Sequence, residues 1–461
     1  MSLNLPEKWD YEADIVVIGA GTAGLPAAIE ARKRNNEVII LEKAKEGEWR
    51  SSLSVIVGLI NFAGTKYQKE KGIVDSPAKY AEDGVKYCGG DPAFWKVFTD
   101  NHLDTLEFIE RELGLKPRGI GACPGHSAPR GHYFHGPEVL RRLEEKAKEV
   151  GINIMWGTPA KRLYRDPVTG RVIGVIAEKE GKLLNIRARK AVIICTGGFG
   201  RNDELIKEYG PDYLLKALRL MPPTHTGDGL IMAMSIGAAT RDIKHAPKPS
   251  LPTCIHKHID TFVYYFGGIL VNKDGKRFIS EDLWYGFLSE AGINQPGGVY
   301  FIIYDDAIRE KVRKEYPMFL RHYEYKANTI EELAKMMEID PKGLKATIEK
   351  YNKDIETVGY DTVFNRRTLD GVVGPLVKIE KPPFYGMKAT VSMTSFKGGI
   401  RINTKGQVLD WNNNPIPGLY AAGECTGGFF SAGKYLGGTM TSMSMTMGRV
   451  AAIFASQESC R

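Results

Sequence analysis

Cysteine is sparse in this chain, and the few present are scattered. Cys88, Cys123, Cys195, Cys254, Cys425 and Cys460 form no C-x-x-C or C-x-x-C-H pattern. Nothing therefore supports a zinc site, an iron–sulfur cluster or a covalent haem, and the cysteines are expected to be reduced structural thiols. Long hydrophobic runs are missing too: no stretch approaches the roughly 18 apolar residues that a spanning helix needs. Met1 to Asp10 is polar and has no signal-peptide core, so the expectation is a soluble cytoplasmic protein without a transmembrane segment. Basic clustering is absent as well. The formal charge is +8 and the pI near 8.9, but Lys and Arg are interspersed with Asp and Glu, so nucleic acid is not an expected partner. The 461 residues, 43% hydrophobic and 26% charged, are otherwise globular material with length for two domains.

Glycine is plentiful and sits where it carries information. Asp14 to Lys43 reads D-I-V-V-I-G-A-G-T-A-G-L-P-A-A-I-E-A-R-K-R-N-N-E-V-I-I-L-E-K. Ile15 to Ile18 predicts a buried parallel strand, Leu25 to Lys33 a helix and Val38 to Leu41 a second strand, with Gly19, Gly21 and Gly24 spelling G-x-G-x-x-G between. The first glycine permits the tight turn, the second lets backbone approach a pyrophosphate, and the third lets helix and strand pack closely. The phosphates then meet a helix N-terminus. Glu42, ending the second strand, is placed to bind a ribose hydroxyl pair, which an incidental glycine turn would leave unexplained.

Further along, Ser51 to Thr65 mixes hydroxyls, glycines and apolar residues, either as a segment lying along a cofactor or as a loop plugging a small core. Pro77 to Gly114 predicts two helices. The loop Gly119 to Gly136 gathers His126, His132 and His135 with Arg130 and Tyr133. No acid or cysteine joins them at ligand spacing, so a substrate-facing or surface loop is expected ahead of a metal site. Pro137 to Val150 predicts a helix and Ile152 to Trp156 a strand. Ala160 to Arg165, Arg171 to Glu178 and Lys182 to Ala188 predict a β-meander, expected as a separate small sheet. Lys190 to Gly200 then returns as a buried strand ending in glycines. Asp228, between two glycines in T-H-T-G-D-G, reads as a helix cap or a cofactor contact. The Pro- and aromatic-rich passage Pro247 to Phe266 suggests entry into another domain, followed by a hairpin at Gly268 to Phe278 and helices at Ile330 to Met337 and Pro341 to Ile355. A hairpin at Gly399 to Asp410, a strand at Pro417 to Glu424 and a glycine-rich loop lead into a final helix, Met440 to Phe454.

The order of these segments resembles the flavoproteins of the fumarate reductase and 3-ketosteroid dehydrogenase family along nearly the whole chain. The resemblance rests on the N-terminal dinucleotide motif, T-G-G-F-G-R-N at Thr196 to Asn202, T-G-D-G at Thr226 to Gly229, G-K-R-F-I-S-E at Gly275 to Glu281, and I-P-G-L-Y-A-A-G-E at Ile416 to Glu424. It implies an α/β fold: a Rossmann-like FAD-binding domain (residues 1–241 and 384–461) with an inserted α+β capping domain (242–383) and the active site between them. FAD is implied as a non-covalent cofactor, with no metal, since no histidine stands at Ser51 to Ser54 for covalent attachment. The implied cofactor residues are Gly19, Gly21, Ala23, Gly24, Glu42, Lys43, Ser51, Ser52, Gly58, Ala160, Thr196, Gly197, Asp228, Gly423 and Glu424, with Glu42 on the adenosine ribose and Glu424 on the ribityl chain.

Three departures bear on substrate. Fumarate reductases place a proton-donating arginine four residues after the Glu of R-F-x-x-E, where this chain has Tyr285. Their substrate-carboxylate histidine aligns with Thr394 or Ser395, and their second carboxylate arginine with Tyr435. Two carboxylates in a dry cleft without these cations would cost several kcal/mol, which argues against fumarate. Ketosteroid dehydrogenases instead have tyrosine at the Tyr285 and Tyr435 positions. By that resemblance, Tyr435 with the Gly438 and Thr439 backbone polarises a ketone oxygen, and Tyr285, its pKa lowered, transfers the proton. Each tyrosine also reads as an ordinary packed aromatic. The cap aromatics Phe262, Tyr264, Tyr265, Phe266, Trp284 and Phe287 favour an apolar, polycyclic substrate but equally describe a core.

The leading expectation is thus a 3-ketosteroid or cyclic-ketone dehydrogenase or enone reductase. No second dinucleotide motif and no fused cytochrome domain are evident, so electrons are expected to pass to or from a separate quinone, electron carrier or diffusible nucleotide. Alternatives are an enoate reductase for an aryl-acrylate or other monocarboxylate, with Arg130 or Lys434 as the cation, and a flavin electron-transfer subunit without substrate chemistry.

Overall fold

Runs of β-branched residues without alternation form strands covered on both faces, and here they build the first sheet. The computed structural model describes residues 5–54, 58–121, 125–245, 251–254, 262–315, 324–369, 374–431 and 434–460. Cys123, and residues 247–250 and 255–261 of the aromatic passage, lie outside the described residues. The chain opens with β1 (Tyr11–Ile18), α1 (Gly24–Lys33), β2 (Val38–Leu41) and β3 (Asn153–Met155), then β4 (Ala160–Arg165), β5 (Val172–Lys179) and β6 (Lys182–Ile194). Next come β7 (Ile269–Val271), α2 (Tyr285–Ile293), β8 (Tyr300–Asp305) and β9 (Phe384–Met393). The last elements are β10 (Gln407–Leu409), β11 (Pro415–Ala421) and α3 (Thr439–Ala455).

The first sheet runs β10-β11-β6-β1-β2-β3. β1 is flanked in parallel by β2, with Ile15 opposite Val38, and by β6, with Ile18 opposite Ile194. α3 packs on α1 so closely that a Cβ on Gly448 would stand 2.4 Å from the Ala23 carbonyl oxygen. The meander is not a separate sheet. β4 pairs with β5 and β5 with β6, and β6 runs unbroken from Lys182 into the centre of the first sheet. The charges that divide it in sequence are satisfied at the sheet margin: Arg189 pairs with Asp14 and Glu37, and Lys190 donates to Asn36 Oδ1 at 2.8 Å.

A second, six-stranded sheet is centred on β9, which pairs antiparallel with β8, Leu251–Cys254 and Tyr325–Ala327, and parallel with Leu218–Arg219. The hairpin expected at Gly268 to Phe278 is only a turn closed by one bridge, Val271 to Arg277, because β7 pairs with β8 instead. A small third sheet joins Leu59–Asn61, Gly131–Tyr133 and Ile120–Gly121, converting the histidine loop into a folded layer against the first sheet's helices. Among the described residues, no helix is long and apolar enough to cross a membrane.

Candidate active site

The glycine turn after β1 separates structural from ligand-facing positions. Gly19 has φ +107°, and a Cβ there would stand 2.5 Å from the Cys195 carbonyl oxygen. One on Gly24 would fall 1.8 Å from the Gly19 carbonyl oxygen, so neither admits a side chain. At Gly21 the nearest atom to a Cβ is Ser51 Oγ at 4.0 Å, which leaves open space before the turn. Glu42 closes the site from β2: its carboxylate accepts the Ala20 N–H at 2.7 Å and the Ala44 N–H at 2.8 Å. Burial pushes the Glu42 carboxyl up against the pull of these N–H groups. Its oxygens retain lone pairs for a ribose diol.

Lys43 turns away from Glu42 and donates to Thr226 Oγ1 at 2.6 Å and Asp228 Oδ2 at 2.8 Å. Asp228 is the first residue of the helix Asp228–Ser235, whose cap position is Gly227 without a side-chain bond, so the helix-cap reading of Asp228 fails. Ser51 Oγ lies 3.1 Å from Thr22 Oγ1. Gly58 packs against the Phe134 carbonyl, Gly197 against the His225 ring and Gly423 against Ala23, and Ala160 is buried at the start of β4. Ser52 Oγ, Thr196 Oγ1 and His225 Nδ1 are buried without a hydrogen-bond partner. Orphaned buried polar atoms of this kind are rare in a finished fold and fit a bound polar ligand. Glu424, just past β11, accepts the Phe396 N–H at 2.9 Å. Burial pushes its carboxyl up to about 7, against the Phe396 N–H and the Lys397 charge.

Two tyrosines meet beyond this cradle. Tyr285 is the first residue of α2, and Tyr435 lies in the loop before α3; their ring centroids are 6.3 Å apart at 66°. Both are nearly buried, and Phe430 stacks edge-on against Tyr435 at 5.2 Å. The Tyr435 hydroxyl accepts the Met440 N–H at 2.9 Å. Gly438 caps α3. The Thr439 N–H donates to Leu436 O at 3.2 Å, and its Oγ1 sits 2.9 Å from the Tyr80 hydroxyl, so both Thr439 groups already have partners within the protein. Asn61 Nδ2 donates to the Gly437 carbonyl, and His126 Nε2 is 3.0 Å from the same oxygen. This network fixes the Tyr435–Thr439 loop from behind.

The histidine segment is therefore not a surface loop. His126 and His132 are buried, and only His135 is exposed. Burial pushes His126 down to about 3 and His132 to about 4, which keeps both neutral. Among the described residues no group of three or more His, Cys, Asp or Glu could hold a metal. Arg130, considered for a substrate carboxylate, is instead buried between Asp75, bonded twice at 2.8 Å, and Asp83 at 2.5 Å. These two carboxylates hold its charge inside the fold. Lys434 lies over the Tyr87 ring at 5.5 Å. Sequence reasoning missed Lys397. It is 2% exposed, donates to Ser395 O at 3.1 Å and Ser395 Oγ at 3.0 Å, and stands 5.3 Å from the centre of the Tyr435 ring. Its only sequence signal is its place two residues after Ser395, in T-S-F-K-G-G.

Residues 14–440 match the family described as FAD binding domain. The chain belongs to the FAD-dependent fumarate reductase and ketosteroid dehydrogenase flavoprotein family. This flavoprotein is 32% identical over 452 residues to a probable fumarate reductase of Shewanella frigidimarina, a match covering 95% of this chain and 74% of that protein. Its structure is similar to the open conformation of a flavocytochrome c3 fumarate reductase, with TM-score 0.80, 30% identity and coverage of 97% and 79%. It is similar over 99% of both chains to the 3-ketosteroid-Δ4-(5α)-dehydrogenase of Rhodococcus jostii RHA1, solved in complex with 4-androstene-3,17-dione, with TM-score 0.78 and 26% identity. The fold is accordingly a Rossmann-like FAD-binding fold with a cap, and the cofactor is FAD. The open turn at Gly21, the Glu42 carboxylate and the orphaned hydroxyls of Ser52 and Thr196 fit that cofactor.

Proposed function

We propose that this FAD-dependent oxidoreductase acts on the carbon–carbon bond next to the carbonyl of an apolar cyclic ketone, such as a 3-ketosteroid, as a dehydrogenase or enone reductase. The observation that carries the reading is the Tyr285–Tyr435 pair, whose ring centroids lie 6.3 Å apart. Desaturation removes a proton from the α carbon and a hydride from the β carbon; reduction returns both. The glycine turn, Glu42 and Glu424 would hold FAD, which would supply hydride exchange when bound. The Tyr435 hydroxyl donates to the substrate carbonyl oxygen and steadies the charge that develops there, with the α3 terminus at Gly438 adding its field. Tyr285 takes the α proton in desaturation and returns it in reduction. Tyr264, Tyr265 and Trp284 are buried in the neighbouring cap and make its interior aromatic. Three positions that would carry dicarboxylate cations hold Tyr285, Thr394 or Ser395, and Tyr435, which supports a neutral substrate. Electrons pass to or from a separate quinone, protein carrier or diffusible nucleotide.

A second reading, an enoate reductase for a monocarboxylate such as an aryl acrylate, is favoured by Lys434, the cation adjacent to Tyr435, and by the likeness to a probable fumarate reductase. Titrating the oxidised flavin distinguishes the readings. A steroid or cyclic enone perturbs its absorption under the first and a monocarboxylate under the second. A spectrum that answers to neither leaves an electron-transfer subunit.

A further inference from the structure

We infer that Lys397 is a positioning residue for Tyr435, its buried ammonium and the Met440 N–H acting on that phenol from two sides to make the Tyr435 hydroxyl a stronger proton donor. The Lys397 side chain is almost sealed from solvent and anchored to Ser395 O and Oγ at 3.1 and 3.0 Å. From there it faces the Tyr435 ring at 5.3 Å rather than open space. A cation over a desolvated aromatic face is attracted to it, and one this near a phenol favours the phenolate. On the other side, the Met440 N–H donates to the hydroxyl oxygen at 2.9 Å, at the positive end of a 17-residue helix. A phenol whose oxygen already accepts an N–H bond, beside a fixed positive charge, donates its own proton more strongly.

Charged and titratable groups approach Tyr435 from several elements. Tyr285 faces it from α2, Lys397 from the segment after β9, and Lys434 is its neighbour in sequence, turned over Tyr87. Glu424, after β11, shares the Lys397 charge, which pulls the Glu424 carboxyl down against its burial. Tyr285 packs on Trp284, with ring centroids 5.4 Å apart. The phenol nearer the lysine binds and polarises the carbonyl oxygen. That functional consequence rests on the reading of Tyr435 as the carbonyl donor; the electrostatic effect on the phenol does not.

The test uses the FAD-loaded protein labelled with [13Cζ]tyrosine, with the Tyr435 resonance identified by its loss in Tyr435→Phe. In the wild type this resonance is expected to titrate at least about one pH unit below its midpoint in Lys397→Met. Lys397→Arg should keep the lower midpoint. Lys397→Gln, whose amide can still donate to Ser395, serves as a second neutral variant and should behave as the methionine does. Equal midpoints in the wild type and a neutral variant overturn the inference. Failure of every ketone to react with the flavin would instead overturn the functional reading while leaving this titration to be decided on its own.

Discussion

Tyr285 and Tyr435 come from different elements, Tyr285 from the first turn of α2 and Tyr435 from the loop that ends in α3, and their rings meet at 6.3 Å and 66°. No local sequence relation joins them. Two phenols so placed can divide the work of binding a carbonyl oxygen and moving a proton on the neighbouring carbon.

Removing only the Tyr285 hydroxyl tests that division. Tyr285→Phe keeps the ring packed on Trp284, so flavin absorbance per protein should be unchanged. Turnover should fall by about 10²- to 10⁴-fold, the range for a positioned proton-transfer group. Stopped-flow rates together with flavin content check it, and a variant that keeps most of its rate removes Tyr285 from the proton path.

The turn glycines should fail in different ways. Gly24→Ala drives a methyl into the Gly19 carbonyl at 1.8 Å and should yield little folded protein. Gly21→Val has room among the described residues, with Ser51 Oγ nearest at 4.0 Å, so the chain should fold and melt normally once flavin is stripped but bind FAD at least about tenfold more weakly. Melting curves and FAD titration separate the two effects.

Arg130 should matter for stability and not for carboxylate recognition. Its loss strands Asp75 and Asp83, and Arg130→Met should cost about 3–5 kcal/mol in chemical denaturation. The effect has a pH signature. Burial pushes the Asp83 carboxyl up, but bonds from the Ser127 hydroxyl and N–H and from Arg130 outweigh it and hold the group below its usual value. Stability from Asp83 is thus present at neutral pH and is lost as pH falls through its depressed value, so wild type and variant should converge in acid.

Glu424 predicts the opposite slope. Its carboxyl, pushed by burial up to about 7, stays protonated in the folded chain where the unfolded chain has already ionised. Below the unfolded value nothing is lost; stability then declines as pH rises toward 7 and is level above it. In flavin-free protein, Glu424→Gln should raise stability by up to about 3 kcal/mol at pH 8 and leave it unchanged at pH 4. Equal effects at both pH values would show that the carboxyl ionises normally.

The first strand–turn–helix–strand was legible because unbroken Ile and Val runs and three spaced glycines admit few other folds, and the structure extends β1 back only to Tyr11. β6 was misread as two strands because Arg187, Arg189 and Lys190 interrupt its apolar run; the partners that satisfy the last two, Asp14, Glu37 and Asn36, are far away in sequence. Arg130 looked available because its burial depends on Asp75 and Asp83, supplied by other segments. Lys397 was overlooked for the converse reason: a single lysine in a strand-to-loop passage looks solvated, whereas the fold buries it against the Tyr435 ring. Local turns and strands are written in adjacent residues, whereas the state of a charge is set by what the fold brings beside it.

The most direct measurement is anaerobic. The flavin is reduced, and a 3-keto-4-ene steroid, cyclohexenone, fumarate and cinnamate are added separately while reoxidation is followed at the flavin absorption band. The account predicts rapid reoxidation by a cyclic enone and none by either carboxylate. Reoxidation by fumarate or cinnamate with no response to the enones would contradict it.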